Sequence, residues 1–194
     1  PTSAGTPALV QASGAVERSA SKSLTADFPS STSGGHLLVL SASVYTGVTN
    51  PITSVTDPAG NAWTRIGAFA VAGHFSDGEM WYAASAAATT SVSIHMASPA
   101  VASVAIEEFS GVAASSPLTA SMGSSATSIS PASGSLTPTA GDLVVGFIAA
   151  HTNPQAIGVI ASGYSGQGQR TSVGAGSTVA SVVQPKLAVP KKPF

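Results

Sequence analysis

The sequence predicts an all-β protein, an antiparallel two-sheet β-sandwich with almost no helix. Residues 54–67 read as strand, tight turn and strand, because Asp57-Pro58 and Gly60-Asn61 are turn-forming pairs between residues typical of strands. In residues 36–45, apolar side chains recur with the period of two that places them on one face of a strand. They are Leu38, Leu40, Ala42 and Val44. No segment keeps the 3.6-residue apolar period of a helix.

The low charge content is the most informative feature of the composition. Only 8% of the 194 residues are charged, against about 25% in typical soluble domains. The surface must therefore be built largely from Ser, Thr, Gly and Ala. Such a surface suits a protein of an assembly on a virion or cell exterior, although a compositional bias of the source genome would leave the same pattern.

Charge and cysteine content exclude several classes of function. The net charge is −1 and the seven basic residues are scattered, so no basic face for nucleic acid is expected. The absence of Cys excludes disulfides, thiolate zinc sites and cysteine nucleophiles. No apolar run approaches the roughly 18 residues of a membrane span.

The first half of the chain divides into short strands. Residues 1–33 alternate apolar pieces with Ser, Gly and Pro, which predicts short strands joined by loops. Residues 36–45 form the strongest strand, with Ser41 and Ser43 on a face expected nearer solvent. After the turn at residues 57–61, strands are predicted at 66–71 and 79–84, with a loop at 73–78. Gly60 or Asn61 is expected to have a positive φ, and Trp63 is expected to be largely buried.

The second half continues the pattern up to a Pro-rich end. Strands are predicted at 91–96, ending at Ser98-Pro99, and at 101–109. One or two short strands are expected in 112–139, because long structureless loops are uncommon in compact domains. Further strands are predicted at 141–152 and 177–183, with a Gly/Ser/Gln loop at 162–168. The three prolines after Gln184 exclude a central strand there.

An internal echo bears on the domain organisation. Residues 135–152 repeat the order of residues 23–43, each with a Ser-Leu-Thr triplet before a strand, which favours two related halves. We therefore predict one domain over residues 1–184, in which residues 1–20 are alternatively an N-terminal arm. Residues 185–194 are predicted to be an extended C-terminal arm.

Several short motifs resemble those of bacterial and phage β-sandwich modules with jelly-roll topology. The matching stretches lie between about residues 24 and 164 and include the following: Leu37-Leu38-Val39, Val55-Thr56-Asp57, Gly60-Asn61-Ala62-Trp63-Thr64, Met80-Trp81-Tyr82-Ala83, Val92-Ser93-Ile94, Glu107-Glu108-Phe109-Ser110-Gly111 and Gly141-Asp142-Leu143-Val144-Val145. The resemblance implies a jelly-roll-like fold in surface, adhesion or tail proteins. In these modules a further aromatic-containing strand usually closes the fold, where this chain has its Pro-rich arm.

No constellation of residues points to catalysis. The segment Gly163-Tyr164-Ser165-Gly166-Gln167 lacks the second Gly of a nucleophile elbow. Glu107 and Glu108 are adjacent on a strand and point to opposite faces, so they cannot form a glycosidase pair. Glu79 could approach one of them across strands, but a carboxylate bonded to a turn and another in solvent are more common. We expect a protein that is not an enzyme.

Two kinds of binding site remain open. Asp57, Asn61, Asp77 and Glu79 have the oxygen ligands that calcium prefers, although Asp57 and Asn61 are also ordinary turn formers. His36, His74, His95 and His151 lack zinc-ligand spacing. Tyr45 and Tyr164 are the candidates for stacking on a sugar.

The leading expectation is a non-catalytic structural or adhesive subunit of a virion-surface or extracellular assembly. It would form homo-oligomers through open strand edges and terminal arms, without a cofactor. In the C-terminal arm, Leu187, Val189 and Phe194 are the candidate docking residues. Alternatively, the chain's own N-terminal strand fills the edge and the C-terminal arm is a tail. A free-standing carbohydrate-binding module is the alternative function, and a hydrolase is the third.

Overall fold

The computed structural model describes residues 5–71, 76–128, 132–150, 165–172 and 177–184, with side chains described up to residue 150. The described residues form no helix and nine strands. The strands are β1 (Ala8–Asp27), β2 (His36–Tyr45), β3 (Ile52–Thr56), β4 (Thr64–Val71), β5 (Ser76–Ala86), β6 (Ser91–Ser110), β7 (Val144–Ala150), β8 (Ser165–Ser172) and β9 (Ser177–Gln184). The chain is therefore all-β, as the sequence predicts.

Six of the strands form one antiparallel sheet. Its order is β1-β6-β2-β5-β4, and β3 pairs with the N-terminal half of β6. The pairing of β1 with β6 has register shifts between Glu17 and Ser23, opposite residues 95–102 of β6. Such bulges bend strands, and here they separate the C-terminal half of β1 and the N-terminal half of β6 from the part of β6 that pairs with β2. The strands β7, β9 and β8 pair antiparallel in that order.

The main hydrophobic core lies inside the bent sheet. Leu38, Leu40, Ala42 and Val44 of β2 are fully buried on one face, which confirms the predicted alternation. They belong to one apolar cluster with Leu24 of β1, Ile52 of β3, Trp81 of β5 and the side chains of both halves of β6. The β6 members are Val92, Ile94, Met96, Ala100, Ala102, Val104 and Ile106.

The prediction that the other face of β2 lies near solvent is wrong. Ser41 and Ser43 are each 1% exposed. Leu37, Val39, Met80 and Phe109 form a second apolar cluster on that face. Leu143, Val145 and Phe147 pack against this cluster. Both faces of β2 are buried because the segment that includes β7 covers the second one.

Two predicted strand breaks are absent from the structure. Residues 8–27 form one long strand rather than several short ones, because they pair along most of β6. Pro99 likewise does not divide β6. It lies in the exposed corner at 97–99, where the pairing with β1 is interrupted. A residue without an N–H is tolerated in a strand at such an irregularity.

The expectations for the later part of the chain hold only in part. The described residues of 112–139 contain no strand, although a contact between Gly123 and the Phe69 ring places this segment against β4. The predicted loop at 162–168 overlaps β8. The predicted strands at 141–152 and 177–183 correspond to β7 and β9. The C-terminal arm lies outside the described residues.

The internal echo does not mark two equivalent units. The triplet at residues 23–25 lies within β1 and pairs with β6, whereas residues 135–137 are irregular. The following strands also differ in position, because β2 is central in its sheet and β7 lies at an end of its own strand order. Similar sequence order therefore does not produce similar pairing here.

The turn between β3 and β4 has the predicted conformation at Gly60, whose φ is +72°. Asp57 organises the turn: Oδ1 accepts a hydrogen bond from the Ala59 N–H (2.9 Å), and Oδ2 accepts one from the Trp63 ring N–H (2.7 Å). Trp63 is half-buried against the main core rather than largely buried. The ring stays near the surface because it completes this turn.

Replacing Gly60 with Val is expected to lower the free energy of unfolding by about 1–3 kcal/mol. A Cβ at Gly60 meets no atom within 4 Å, so the loss would come from the positive φ alone. Gly34→Val is the matched control, because that position also has open space and has no positive φ. Equal denaturation midpoints for the two variants would contradict the assignment.

Candidate functional site

Four buried carboxylates are the most unusual chemical feature of the described structure. Asp77 and Glu79 lie on β5, and Glu107 and Glu108 lie near the end of β6. Each is at most 1% exposed. Acidic side chains are almost never fully buried unless they are paired, so each needs a physical explanation.

Glu108 joins three separate segments of the chain. One carboxylate oxygen, Oε1, accepts a hydrogen bond from the backbone N–H of Ser33 (2.7 Å) and contacts Nδ1 of His36 (2.6 Å). The other, Oε2, accepts a hydrogen bond from the side-chain amide of Gln11 (2.6 Å). Gln11 in turn accepts hydrogen bonds from the N–H and hydroxyl of Ser30 (both 3.2 Å). Glu108 therefore connects β1, the β1–β2 loop and the start of β2.

The contacts of Glu108 favour its ionised form. Burial by itself would raise the pKa of this carboxyl group, but the Ser33 N–H, the Gln11 amide and His36 outweigh burial and hold the pKa below its usual 4.5. The carboxylate is thus an anion whose charge is met by local donors. This arrangement explains the burial of Glu108 without invoking a ligand.

Asp77 and Glu79 form a different kind of pair. They alternate on β5 and face the same side as Trp81. Glu79 accepts hydrogen bonds from the Ile52 N–H (3.1 Å) and the Trp81 ring N–H (2.9 Å), and the Arg65 guanidinium lies 3.6 Å from Oε2. Arg65 also lies over the Trp81 ring. By contrast, neither oxygen of Asp77 has a hydrogen-bond partner of regular geometry.

The environment of Asp77 favours its protonated form. Burial is the largest cause, and the neighbouring charge of Glu79 adds to it. The Asn50 backbone and Arg65 act in the opposite direction, but the pKa of Asp77 is still raised from 3.8 to about 6. Asp77 is therefore a buried carboxyl group, beside Glu79, that keeps its proton to a higher pH than an exposed aspartate does.

The four predicted calcium ligands fall into two separate places. Asp57 and Asn61 bond to each other and to the turn, and Asn61 also bonds to Ala87 just beyond β5. Asp77 and Glu79 lie near the opposite end of β5, about 25 Å away along the strand. Among the residues that the structure describes, no three acidic or histidine side chains gather to hold a metal ion. The structure does not bring the predicted set together.

The paired-carboxylate expectation needs one correction. Glu107 and Glu108 lie on opposite faces of β6. Glu108 bonds to the β1–β2 loop, which agrees with the expectation that one carboxylate bonds to a turn. The other carboxylate of that arrangement was expected in solvent, yet Glu107 and Glu79 are both buried. None of the three lines an open cleft.

The predicted sugar-stacking and docking residues are only partly described. Tyr45 ends β2 and is 36% exposed, beside a loop in which Val48 is also exposed. Tyr164 and the arm residues Leu187, Val189 and Phe194 lie outside the described residues. Of these five side chains, the structure describes that of Tyr45, which is partly exposed at the end of β2.

No sequence pattern predicts a role for Gln11, and the sequence bears on His36 only in that its spacing argues against a zinc site. Gln11 lies 97 residues from its partner Glu108, and no local pattern connects them. The only available signal was an ionisable pair, Glu107-Glu108, directly before a buried aromatic residue. Such a pair implies that at least one carboxylate finds partners inside the protein.

Comparisons of the chain with protein-family models, with curated proteins and with solved structures found no match. No helix in the described residues has the length and apolar character that a membrane crossing requires. Function must therefore be argued from the geometry of this chain.

Proposed function

We propose that the chain is a non-catalytic structural or adhesive subunit of a virion-surface or extracellular assembly. In this proposal it is a jelly-roll-like β-sandwich, with the strands β7, β9 and β8 as the sheet that covers the second face of β2. Subunits associate through strand edges. The low content of charged residues supports a protein that is held among neighbours, because few surface charges oppose association.

The outer edge of β1 is the observation that carries this proposal. β1 pairs with β6 along one side, and no described strand pairs with its other side. From residue 8 to residue 16, β1 has no charged residue and no proline, and Val10 is 48% exposed. Exposed edges are usually protected by charges, prolines or short length. This edge has none of those protections over its first half.

A second copy of the chain is the partner that this edge fits. Strand addition supplies affinity through main-chain hydrogen bonds, and these need no charged side chains on either partner. Two copies that pair through the same edge would form a closed, two-fold symmetric contact. The C-terminal half of β1, by contrast, contains charged residues that oppose such pairing there. They are Glu17, Arg18, Lys22 and Asp27.

The positions of the carboxylates support a role without catalysis. General acid and base chemistry requires carboxyl groups that reach a substrate. Asp77, Glu79, Glu107 and Glu108 are at most 1% exposed, and the hydrogen bonds of Glu108 and Glu79 hold the fold together. The burial of Glu108 and Glu79 is explained by their contacts within the chain.

Replacing Val10 with Lys is expected to weaken self-association by about tenfold or more, because a charge on the edge must be desolvated when a strand is added. Static light scattering over a range of concentrations measures the change. Leu118→Lys is the matched control, since Leu118 is similarly exposed (42%) but lies in the irregular segment after β6.

The control variant should associate as the wild type does. Equal association of the wild type and both variants would contradict a role for the β1 edge. A wild-type chain that stays monomeric and binds a glycan array would instead favour the carbohydrate-binding alternative. In that case Tyr45→Ala, at the exposed end of β2, should reduce glycan binding.

A further inference from the structure

Asp77 is the one buried carboxylate of the described structure in which neither oxygen has a hydrogen-bond partner of regular geometry, and the Asn50 backbone is the one donor that acts on it. An ionised carboxylate in this position would be costly, because a single backbone donor replaces only part of the hydration that burial removes. Glu79, two residues along the same face, already has two N–H donors and the nearby Arg65. The donors of this region are therefore assigned to Glu79, and Asp77 needs a different source of stabilisation.

A proton provides that stabilisation. Protonated Asp77 becomes a hydrogen-bond donor, and its O–H can donate a hydrogen bond to the neighbouring Glu79 carboxylate. Two carboxyl groups that share a site cannot both ionise without strong repulsion. A cation is a poorer fit, because both Glu79 oxygens already accept hydrogen bonds and Arg65 brings a positive charge.

The β2–β3 loop, residues 46–51, is the segment in contact with this pair. The Asn50 backbone interacts with Asp77, and Asn50 has a φ of +53°. Pro51 is buried, and the next N–H, that of Ile52, donates to Glu79. The position of the loop therefore depends on both carboxyl groups.

We propose that Asp77 and Glu79 bind one shared proton that fastens the β2–β3 loop, and that loss of this proton loosens the loop. The device acts within one subunit and does not depend on the proposed assembly. It would make the surface around Tyr45, which precedes the loop, and Val48, which lies in it, respond to acidity.

The charged groups around Asp77 are few. On β5 the neighbour is Glu79, and on β4 it is Arg65. β2 places the apolar Val44 beside Asp77, and residues 46–56 of the loop and β3 contain no ionisable side chain. Raising the pKa of Asp77 to about 6 means that the folded state holds this proton between about pH 4 and 6, where the unfolded chain has lost it. Stability from this group is therefore present at low pH and is lost as the pH rises through 6.

The test compares thermal unfolding of the wild type and Asp77→Asn from pH 5 to pH 8. Asn keeps the size of the side chain and remains a neutral donor to Glu79. The Tm difference between variant and wild type should grow by about 3 °C or more in favour of the variant, with most of the change complete near pH 6. Asp27→Asn, at an exposed carboxylate, is the control and should leave the pH dependence unchanged.

Backbone NMR provides the readout at the loop. The Asn50 and Ile52 amide resonances of the wild type should shift with the same midpoint and should not shift in Asp77→Asn. A pH-independent Tm difference, or loop resonances that titrate equally in both proteins, would overturn the proposal. So would a rise in Tm on adding calcium at pH 8 that Asp77→Asn abolishes, because the pair would then be a cation site.

Discussion

Replacing Phe109 with Ala is expected to lower the free energy of unfolding by about 3–5 kcal/mol. Phe109 is fully buried and packs in the second cluster with Leu37, Val39 and Met80. Loss of the aromatic ring would leave a cavity between the sheet and the segment that includes Leu143, Val145 and Phe147. Chemical denaturation followed by tryptophan fluorescence measures the loss.

The size of this effect tests whether the second face of β2 is a true core. Leu118→Ala is the control, because Leu118 is largely exposed and its truncation should change stability by no more than about 0.5 kcal/mol. A loss below about 1 kcal/mol for Phe109→Ala would mean that solvent reaches this face. The covering position of β7 would then be wrong.

Replacing Glu108 with Ala is expected to cost about 2–4 kcal/mol, because the Ser33 N–H, the Gln11 amide and His36 lose a charged partner together. The β1–β2 loop would lose its connection to β6. Urea denaturation at pH 7 measures this loss. Glu17→Ala is the control, because it removes a glutamate of β1 that is only partly buried.

The pH dependence of the Glu108 contribution has a definite sign. The pKa of Glu108 is lowered by folding, so its stabilisation is present above the unfolded pKa near 4.5 and is lost as the pH falls through the lower folded value. The free energy of unfolding of Glu108→Gln should therefore fall less with decreasing pH than that of the wild type. An equally steep fall in both proteins below about pH 4.5 would contradict the assigned ionisation.

Local signals were enough to predict part of the fold. The alternation of residues 36–45, directly after Gly34-Gly35, predicts the bounds of β2, and the turn residues around Gly60 predict a turn whose φ is observed. In both places the pattern and the structure depend on neighbours in sequence. Local chemistry therefore sufficed.

Long-range pairing accounts for the predictions that failed. Ser41 and Ser43 are polar, and their face is buried by residues distant in sequence, Phe147 among them. β1 has no clean alternation, and its length comes from its pairing with β6. Among the candidate site residues, Asp77 and Glu79 are predicted as oxygen ligands of calcium, and they come together because they alternate on one strand. The contacts of Glu108 with Gln11 and His36 join residues that are 97 and 72 positions apart, which no local pattern connects.

Amide hydrogen exchange of β1 at low and high protein concentration tests the central claim, that subunits associate through the outer edge of residues 8–16. In a strand of this kind, alternate N–H groups face β6 and the outer edge. We expect the outward N–H groups to exchange more slowly as the concentration rises, while the N–H groups that bond to β6 change little. The claim would be contradicted if light scattering shows association but the outward N–H groups exchange at the same rate at low and high protein concentration.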